Sequence, residues 1–397
     1  MSEHNLNRRG ALAWSGAAML LACSGGVLRV TDALGEPAGG DAYSPWQFWN
    51  EPAIRNTPLA LVAAAILAAN PHDTQPWLFR VSDSAIEILA DLSRNLGAMD
   101  AFVREMHLGL GCAIQNLLLA AGPNGYEAEL EAAPGSLTAL AERRRPVHVA
   151  TIRLTKRTPG APESLYRAIP NRHTNRYAYD RARMLPAEWR DFAAHAGVSD
   201  DVKIFLFDEG PQRRIFDAAV AEATQAIIAD KTMIADSDRW IRTSRGEIEK
   251  HRDGPTLEAA GLSTFTLMFA KIFPVSPETS HQAWLDHTRD AQLATAPLTG
   301  LIAVHDRYDR QSAIAAGRSW QRLHLSAVVR GIAMQPLNQP VEMADRERQV
   351  GSGNAWATRL ARLTGDDWQA TFSFRAGFAT EGAPASPRRA LGDVVMR

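Results

Sequence analysis

Two apolar helical segments with a shared pattern lie about half a chain apart. Residues 104–121 and 312–333 both repeat apolar side chains at helical spacing. The segment that begins at Gln115 (QNLLLAA) aligns with the one that begins at Gln321 (QRLHLSA) at a constant offset. Solenoid repeats are much shorter than this spacing. The pattern therefore favours a duplicated unit, although two unrelated amphipathic helices also share leucine and alanine.

Shorter patterns predict further helices and strands around these two helices. An apolar run from Pro58 predicts a buried helix that ends at Asn70-Pro71. Alternating and continuous apolar runs predict strands, and proline-started polar–apolar runs predict helices. The predicted strands are 77–81, 85–89, 202–207 and 299–305, and the predicted helices are 186–196 and 211–229.

Length and charge limit the classes of protein that this chain can represent. A chain of 397 residues has room for two domains, and its net charge of −1 with no basic block indicates no nucleic-acid partner. The two cysteines, Cys23 and Cys112, cannot build a disulfide framework or a structural zinc site. The sequence lacks His-Glu-x-x-His, Gly-x-Ser-x-Gly and Gly-x-Gly-x-x-Gly, so no metal site, serine nucleophile or Rossmann turn is predicted.

The first residues have the pattern of a targeting signal. Arg8-Arg9 precede an apolar run over 11–22, which is typical of a twin-arginine export signal over residues 1–26. Cys23 ends a loose lipobox, and lipidation there would be the only membrane link. We expect an exported protein, periplasmic or membrane-anchored, or a cytoplasmic one if the signal does not function. Residues 27–56 follow as an arm or linker without clear periodicity.

Three segments collect polar groups that could bind a ligand. Residues 171–177 place two guanidiniums, an imidazole and a hydroxyl together, which suits phosphate oxygens. Residues 68–77 form a polar loop between a helix and a strand, and residues 331–340 form a stiff turn after a helix. A charged surface turn, a capped connection and an ordinary turn would have the same compositions.

In this order, the segments resemble motifs of the nitroreductase family of FMN proteins, most closely its Acg-type branch of fused halves. Residues 172–176 match the family's Arg-[Arg/His]-Ser-x-[Lys/Arg] motif, and residues 68–77 match its ring-binding loop at Ala68 and at Gln75-Pro76-Trp77. Asp73 departs from the loop motif, because the family has Asn there and a carboxylate near a reduced flavin is unfavourable.

The resemblance implies FMN as cofactor and a set of residues that would contact it. Phosphate and ring-edge contacts would come from the arginine motif and a terminal arginine, ring contacts from the loop, and N5 contacts from the turn. Gln339 replaces a family glycine in that turn. The implied residues are Arg172, His173, Thr174, Arg176 and Arg388; Asn70, Pro71, His72, Thr74 and Gln75; and Pro336, Leu337, Asn338 and Gln339.

The resemblance also implies an α+β nitroreductase-like fold, with mixed sheets flanked by helices and two pseudo-repeated halves. The ring loop lies in the first half, residues 57–160, and the arginine motif lies in the second, residues 161–397. One composite FMN site is therefore expected in a monomeric pseudo-dimer. An aromatic insertion at about 254–297 is expected to act as a lid.

Three functions remain open at this stage. The first is an oxidoreductase that transfers hydride at flavin N5, with NAD(P)H or another donor and a nitro compound or quinone as acceptor. The flavin carries that chemistry, so no catalytic side chain is predicted. The second is a lid-covered protein that stores or sequesters FMN. The third is an exported small-molecule binding protein without flavin.

Overall fold

The computed structural model describes residues 41–139, 145–262 and 276–396. The predicted export signal, residues 1–26, lies outside the described residues, as do residues 263–275 of the predicted lid. Within the described ranges, no helix is both long and apolar enough to cross a lipid bilayer.

Nine strands in the described part of the chain form two sheets. The strands are β1 (Trp77–Val81), β2 (Ala85–Ala90), β3 (Tyr126–Ala132), β4 (Val147–Lys156), β5 (Val202–Phe207), β6 (Leu298–Val304), β7 (Ala333–Pro336), β8 (Gln369–Gly377) and β9 (Val395–Met396). The first sheet has the order β3-β4-β2-β1-β9 and is mixed, because β9 runs parallel to β1 and the other pairs are antiparallel. The second sheet, β5-β6-β8-β7, is antiparallel.

Helices surround these sheets. They are α1 (Ser44–Phe48), α2 (Pro58–Ala65), α3 (Arg104–Ala121), α4 (Ser164–Ala168), α5 (Ala187–Ala194), α6 (Pro211–Ala229), α7 (Lys231–Asp238), α8 (Arg245–His251), α9 (Pro277–His287), α10 (Arg310–Val328), α11 (Gln339–Val350), α12 (Ala355–Thr364) and α13 (Leu391–Val394). Sheets flanked by helices confirm the predicted α+β class.

The long helices α3 and α10 cross in direct backbone contact at the centre of the molecule. A Cβ added to Gly111 would lie 2.2 Å from the carbonyl oxygen of Ile314, and one added to Gly317 would lie 2.0 Å from that of Leu108. Only glycine permits so close an approach. The two contacts are reciprocal and have the same offset as the sequence repeat. One buried apolar core extends from these helices onto both sheets.

Most predicted elements are present, and four regions differ. α3, α6 and β5 have the predicted bounds, whereas α10 ends at Val328 because Gly331 takes a left-handed φ of 69°. The predicted stiff turn at 331–340 contains β7 and the start of α11. β3 and β4 were not predicted. Residues 41–48, predicted as part of an arm, form a 3-10 turn and α1, which together are too short to show periodicity.

Candidate functional site

Two buried arginines from distant parts of the chain meet at the end of α2. Arg172 follows the 3-10 turn Ile169–Asn171 and is 2% exposed, and Arg388 precedes α13 and is 1% exposed. Arg172 Nη2 donates to the Leu67 carbonyl oxygen at 3.3 Å, and Arg388 Nη2 donates to that of Ala68 at 3.3 Å. The structure therefore brings together the predicted arginine motif and the predicted terminal arginine.

Arg176 completes this arginine group from the same motif as Arg172. Its side chain is partly buried and Nη1 donates to the Ala259 carbonyl oxygen at 3.0 Å, while its own carbonyl oxygen lies 3.0 Å from His287 Nε2. Thr174, which lies between these two arginines in the sequence, is partly buried. The motif thus presents its cations inward, unlike a charged surface turn.

The loop over residues 70–75 holds a strained backbone against the arginines. His72, Asp73 and Gln75 have φ values of 45°, 49° and 50°, which are left-handed and unusual outside glycine. Such conformations cost about 1–3 kcal/mol each and cluster at functional sites. Gln75 anchors the loop, since its Nε2 donates to the Arg252 carbonyl oxygen at 2.8 Å and its Oε1 accepts from Arg389 N at 2.7 Å.

Other predicted loop residues pack beside this anchor. Asn70 Oδ1 accepts from the backbone N–H of Gln75 at 2.7 Å. Pro71 lies against α3, where a Cβ on Gly109 would come 3.0 Å from its Cδ. His72 Nε2 lies 2.9 Å from Ser237 Oγ, and burial followed by Arg176 lowers the pKa of His72 to about 4, so this imidazole is neutral near pH 7.

Asp73 places a carboxylate inside the arginine group. Its Oδ1 forms an ion pair with Arg388 Nη1 at 2.5 Å and accepts from Asn70 Nδ2 at 3.3 Å. Its Oδ2 is buried without a hydrogen-bond partner among the described residues. Burial raises the pKa of Asp73 to about 6, although the charge of Arg388 opposes that rise.

The site is short of negative charge. Asp73 is the carboxylate whose charge acts on Arg172, Arg176 and Arg388 alike, so one partial anion faces three cations. Burial and the neighbouring charge of Arg388 lower the pKa of Arg172 to about 10. Within the described ranges, Nε of Arg172, Nε of Arg388 and the buried Thr74 Oγ1 have no hydrogen-bond partner. Buried donors in native structures are normally paired. These three groups could therefore donate hydrogen bonds to a bound oxyanion.

Residues 42–46 close the site from one side, which the sequence did not predict. The indole of Trp46 meets His173 edge to face with ring centroids 4.6 Å apart, and the Arg388 guanidinium carbon lies 4.8 Å from the indole centroid. Trp46 Nε1 donates to the Ser386 carbonyl oxygen at 2.7 Å, and Arg388 N donates to that of Ala42 at 2.7 Å. Aromatic residues in an otherwise polar arm are the only sequence signal for this contact.

His173 is enclosed by these groups. Burial, followed by the charges of Arg172 and Arg388, lowers the pKa of His173 to about 3. A neutral imidazole offers one donor and one acceptor, so it can bind a polar ligand without adding charge. Tyr43, buried nearby, feels the charges of Asp73, Glu249 and Glu258, which together with burial raise its pKa and keep its hydroxyl protonated.

The predicted turn is only partly joined to this site. β7 lies beside the arginine motif, because Asn175 N donates to the Met334 carbonyl oxygen at 3.1 Å. Pro336 ends β7 and Leu337 is buried in a separate apolar cluster. Asn338 Oδ1 accepts from Ser373 N at 3.2 Å, and its Nδ2 donates to Glu105 at the start of α3. Among the described residues, no hydrogen bond joins Asn338 to the three arginines.

Around Asn338 lies a buried acidic cluster that the sequence did not predict, comprising Asp100, Arg104, Glu105, Glu342 and Asp345. Arg104 Nε donates to Asp345 at 2.8 Å, and Gln339 and Glu342 each keep one buried oxygen without a partner in the described part of the chain. Burial raises the pKa of Glu105 to about 7, although Arg104 opposes it. The described residues contain no group of His, Cys, Asp and Glu suited to a metal ion.

The α+β fold thus gathers buried cations where the end of α2, the arginine motif and the segment before α13 meet. The chain is related in sequence to two proteins of Mycobacterium tuberculosis (strain ATCC 25618 / H37Rv). It is 24% identical to "Putative NAD(P)H nitroreductase Rv3131" over 341 residues, 84% of this chain and 90% of the relative. It is also 24% identical to "Putative NAD(P)H nitroreductase acg" over 342 residues, 84% of this chain and 93% of the relative. In sequence, the chain is thus similar to nitroreductase-like proteins of the Acg type.

Solved structures of nitroreductases are similar to part of the chain. The FMN- and NADPH-dependent nitroreductase NfnB from sphigopyxis sp. strain HMH covers 59% of this chain and 99% of its own, with 17% identity and a TM-score of 0.38. The FMN-dependent nitroreductase NfnB from Mycobacterium smegmatis, in complex with NADPH, covers 59% and 97%, with 17% identity and a TM-score of 0.36. No protein-family model matches the sequence.

Proposed function

We propose that the chain binds one FMN and acts as an FMN-dependent, nitroreductase-like oxidoreductase. The proposal rests on the charge of the site. In the part of the chain that the structure describes, Arg172, Arg176 and Arg388 face the single carboxylate of Asp73, and two Nε donors have no partner. A phosphate monoester carries about −1.5 to −2 charges at pH 7, which matches the excess of two. The names of the related proteins support flavin chemistry of the nitroreductase kind.

The residues of the chain would bind and orient the flavin. Arg172 and Arg388 would hold the phosphate through their unfilled donors, and the neutral His173 would add one hydrogen bond. The loop anchored by Gln75 would pack against the ring, and Arg176 would favour a negatively charged ring edge. FMN, when bound, supplies two-electron hydride chemistry, which needs no catalytic side chain of its own.

The chain would have one FMN site, built from both of its halves. Its loop comes from the first half of the chain and its arginines from the second, while α3 and α10 cross through reciprocal glycine contacts. This arrangement supports our proposal of a monomeric pseudo-dimer with one flavin. Flavin released from the purified protein should be FMN at one equivalent per chain, and two equivalents would contradict the composite site.

Paired ligands test the phosphate site. The double variant Arg172→Gln/Arg388→Gln should bind FMN about a hundredfold more weakly, because two charge-assisted contacts are lost. Riboflavin lacks the phosphate, so its affinity should change little. Arg80→Gln, which removes an exposed arginine paired with Glu87, is the matched control. Equal losses for both flavins, or no flavin binding by the parent protein, would contradict the proposal.

FMN storage is the second candidate, favoured by the closure of the site by Tyr43 and Trp46. Adding NADPH under anaerobic conditions separates the two. Bleaching of the flavin absorbance within seconds, followed by reoxidation with a nitro compound or quinone, supports the reductase. A flavin that stays oxidised and dissociates over hours supports storage.

A further inference from the structure

Asp73 is the feature of the site that its proposed ligand does not explain. A carboxylate held by a phosphate-binding arginine reduces the attraction that the site offers to an anion. We propose that Asp73 substitutes for the ligand phosphate on Arg388, and that the two anions compete for this guanidinium. This inference rests on the proposed function and adds a control on ligand binding.

The hydrogen bonds of Arg388 leave little room for two anions. Its Nη1 is bound by Asp73, by Ser386 Oγ at 2.7 Å and by the Pro387 carbonyl oxygen at 2.8 Å. Nη2 donates to Ala68, and only Nε is free among the described residues. A phosphate that binds the guanidinium in a bidentate manner would therefore lie close to the Asp73 carboxylate. Two like charges this close repel each other strongly in a protein site.

The local structure allows Asp73 to leave. Its side chain is held only by Arg388 and by a long 3.3 Å bond from Asn70, and its Oδ2 has no partner in the described structure. Its backbone is left-handed, so a change in its φ would relieve strain. Gln75, two residues later, stays anchored to Arg252 and Arg389. The loop can thus move the carboxylate without losing its attachment.

The charges that face Asp73 favour exchange for a phosphate. Arg388, Arg172 and Arg176 attract it, and Asp253, itself paired with Arg94 and Arg242, repels it. Burial and the charges of Glu258, Asp73 and Glu249 raise the pKa of Tyr43, so its hydroxyl stays protonated. His72, next in the chain, is neutral.

A carboxylate that leaves Arg388 and stays buried loses its main counter-charge, so departure and protonation go together. Burial raises the pKa of Asp73 to about 6, so the carboxylate is ionised at pH 8 and largely protonated at pH 5. Phosphate binding on Arg388 removes its stabilising partner and raises this pKa further. Binding of FMN near pH 7.3, where its phosphate is mostly dianionic, should therefore take up protons.

The test compares the parent protein, Asp73→Asn and Asp41→Asn by titration with FMN and with riboflavin at pH 8 and pH 5.5. Asp41 is an exposed carboxylate near the same arm, so its variant matches the change in net charge. We expect Asp73→Asn to bind FMN about tenfold more tightly at pH 8, with little change for riboflavin. The gain should shrink at pH 5.5, and Asp41→Asn should resemble the parent.

Calorimetry in buffers of different ionisation enthalpy gives a second readout, and its first measurement uses the parent protein alone. The parent protein should take up protons on binding FMN at pH 7.3; where Asp73→Asn folds, it should not. Equal or weaker FMN binding by Asp73→Asn at both pH values, or no proton uptake by the parent, overturns the inference while leaving FMN binding intact. Absence of FMN binding by all three proteins refutes both this inference and the proposed function.

Discussion

Gly317 faces the carbonyl oxygen of Leu108 so closely that a methyl group there would lie 2.0 Å from it. Because backbone atoms cannot yield as a flexible side chain does, Gly317→Ala should separate α3 from α10. Overpacking of this kind costs about 1–3 kcal/mol. We expect a lower midpoint in chemical unfolding.

Gly122→Ala is the control for that substitution. Gly122 follows α3, and a Cβ there would meet no atom of the described structure within 4 Å. The unfolding midpoint of Gly122→Ala should therefore stay close to that of the parent protein. Equal midpoints for Gly317→Ala and the parent would show that the two helices are not in backbone contact.

Trp46 should slow the release of bound FMN. Its indole contacts His173 and lies over the Arg388 guanidinium, so Trp46→Ala would open one wall of the site. We expect FMN to dissociate about tenfold faster, as measured by recovery of free-flavin fluorescence after dilution. Trp49→Ala is the matched control, because Trp49 contacts Tyr166 instead. Similar rates for both variants would place Trp46 outside the site.

The acidic cluster should make stability depend on pH. Burial and the charge of Glu105 raise the pKa of Glu342 well above its ordinary value, and burial raises that of Glu105 from 4.5 to about 7. Protonated forms favour the folded state when a folded pKa is raised, so their contribution is complete below pH 4.5 and lost as pH rises through 7.

Glu342→Gln should remove part of this dependence, since an amide mimics the protonated acid. The variant should have a higher Tm than the parent at pH 8 and a similar Tm at pH 5. Glu87→Gln, at an exposed pair with Arg80, should match the parent at both. A lower Tm for Glu342→Gln at pH 8 would mean that the charge of Glu342 stabilises the fold.

Export is a prediction from the sequence alone. Residues 1–26 fused to a reporter that folds only in the cytoplasm should carry it across the membrane by the twin-arginine route. Replacing Arg8 and Arg9 with lysine should retain the reporter inside the cell. Export of the doubly substituted fusion would indicate a different route.

The motif resemblance selected arginines and a loop that the structure brings together. Arg172 and Gln75 stand in motifs of fixed spacing, and the departure at Asp73 marked the residue that pairs with Arg388. Helical periodicity likewise gave the bounds of α3 and α6.

Contacts between distant residues could not be predicted in this way. Trp46 lies in a segment too short for periodicity, and its partners His173 and Arg388 are remote in sequence. Asn338 was expected at the flavin, but its side chain bonds to Glu105 at the start of α3. A motif gives the kinds of side chain at a turn, whereas the direction of each side chain depends on the packing of the whole chain.

The strand β9 pairs with β1 through Phe79 and Val395, and Arg388 lies just before it. Translation therefore produces the first sheet and its loop long before the arginine and the strand that complete them. A nascent chain that has reached residue 380 would hold an open sheet edge and an unfinished anion site. On the proposed function, FMN would bind only after this last segment has been synthesised.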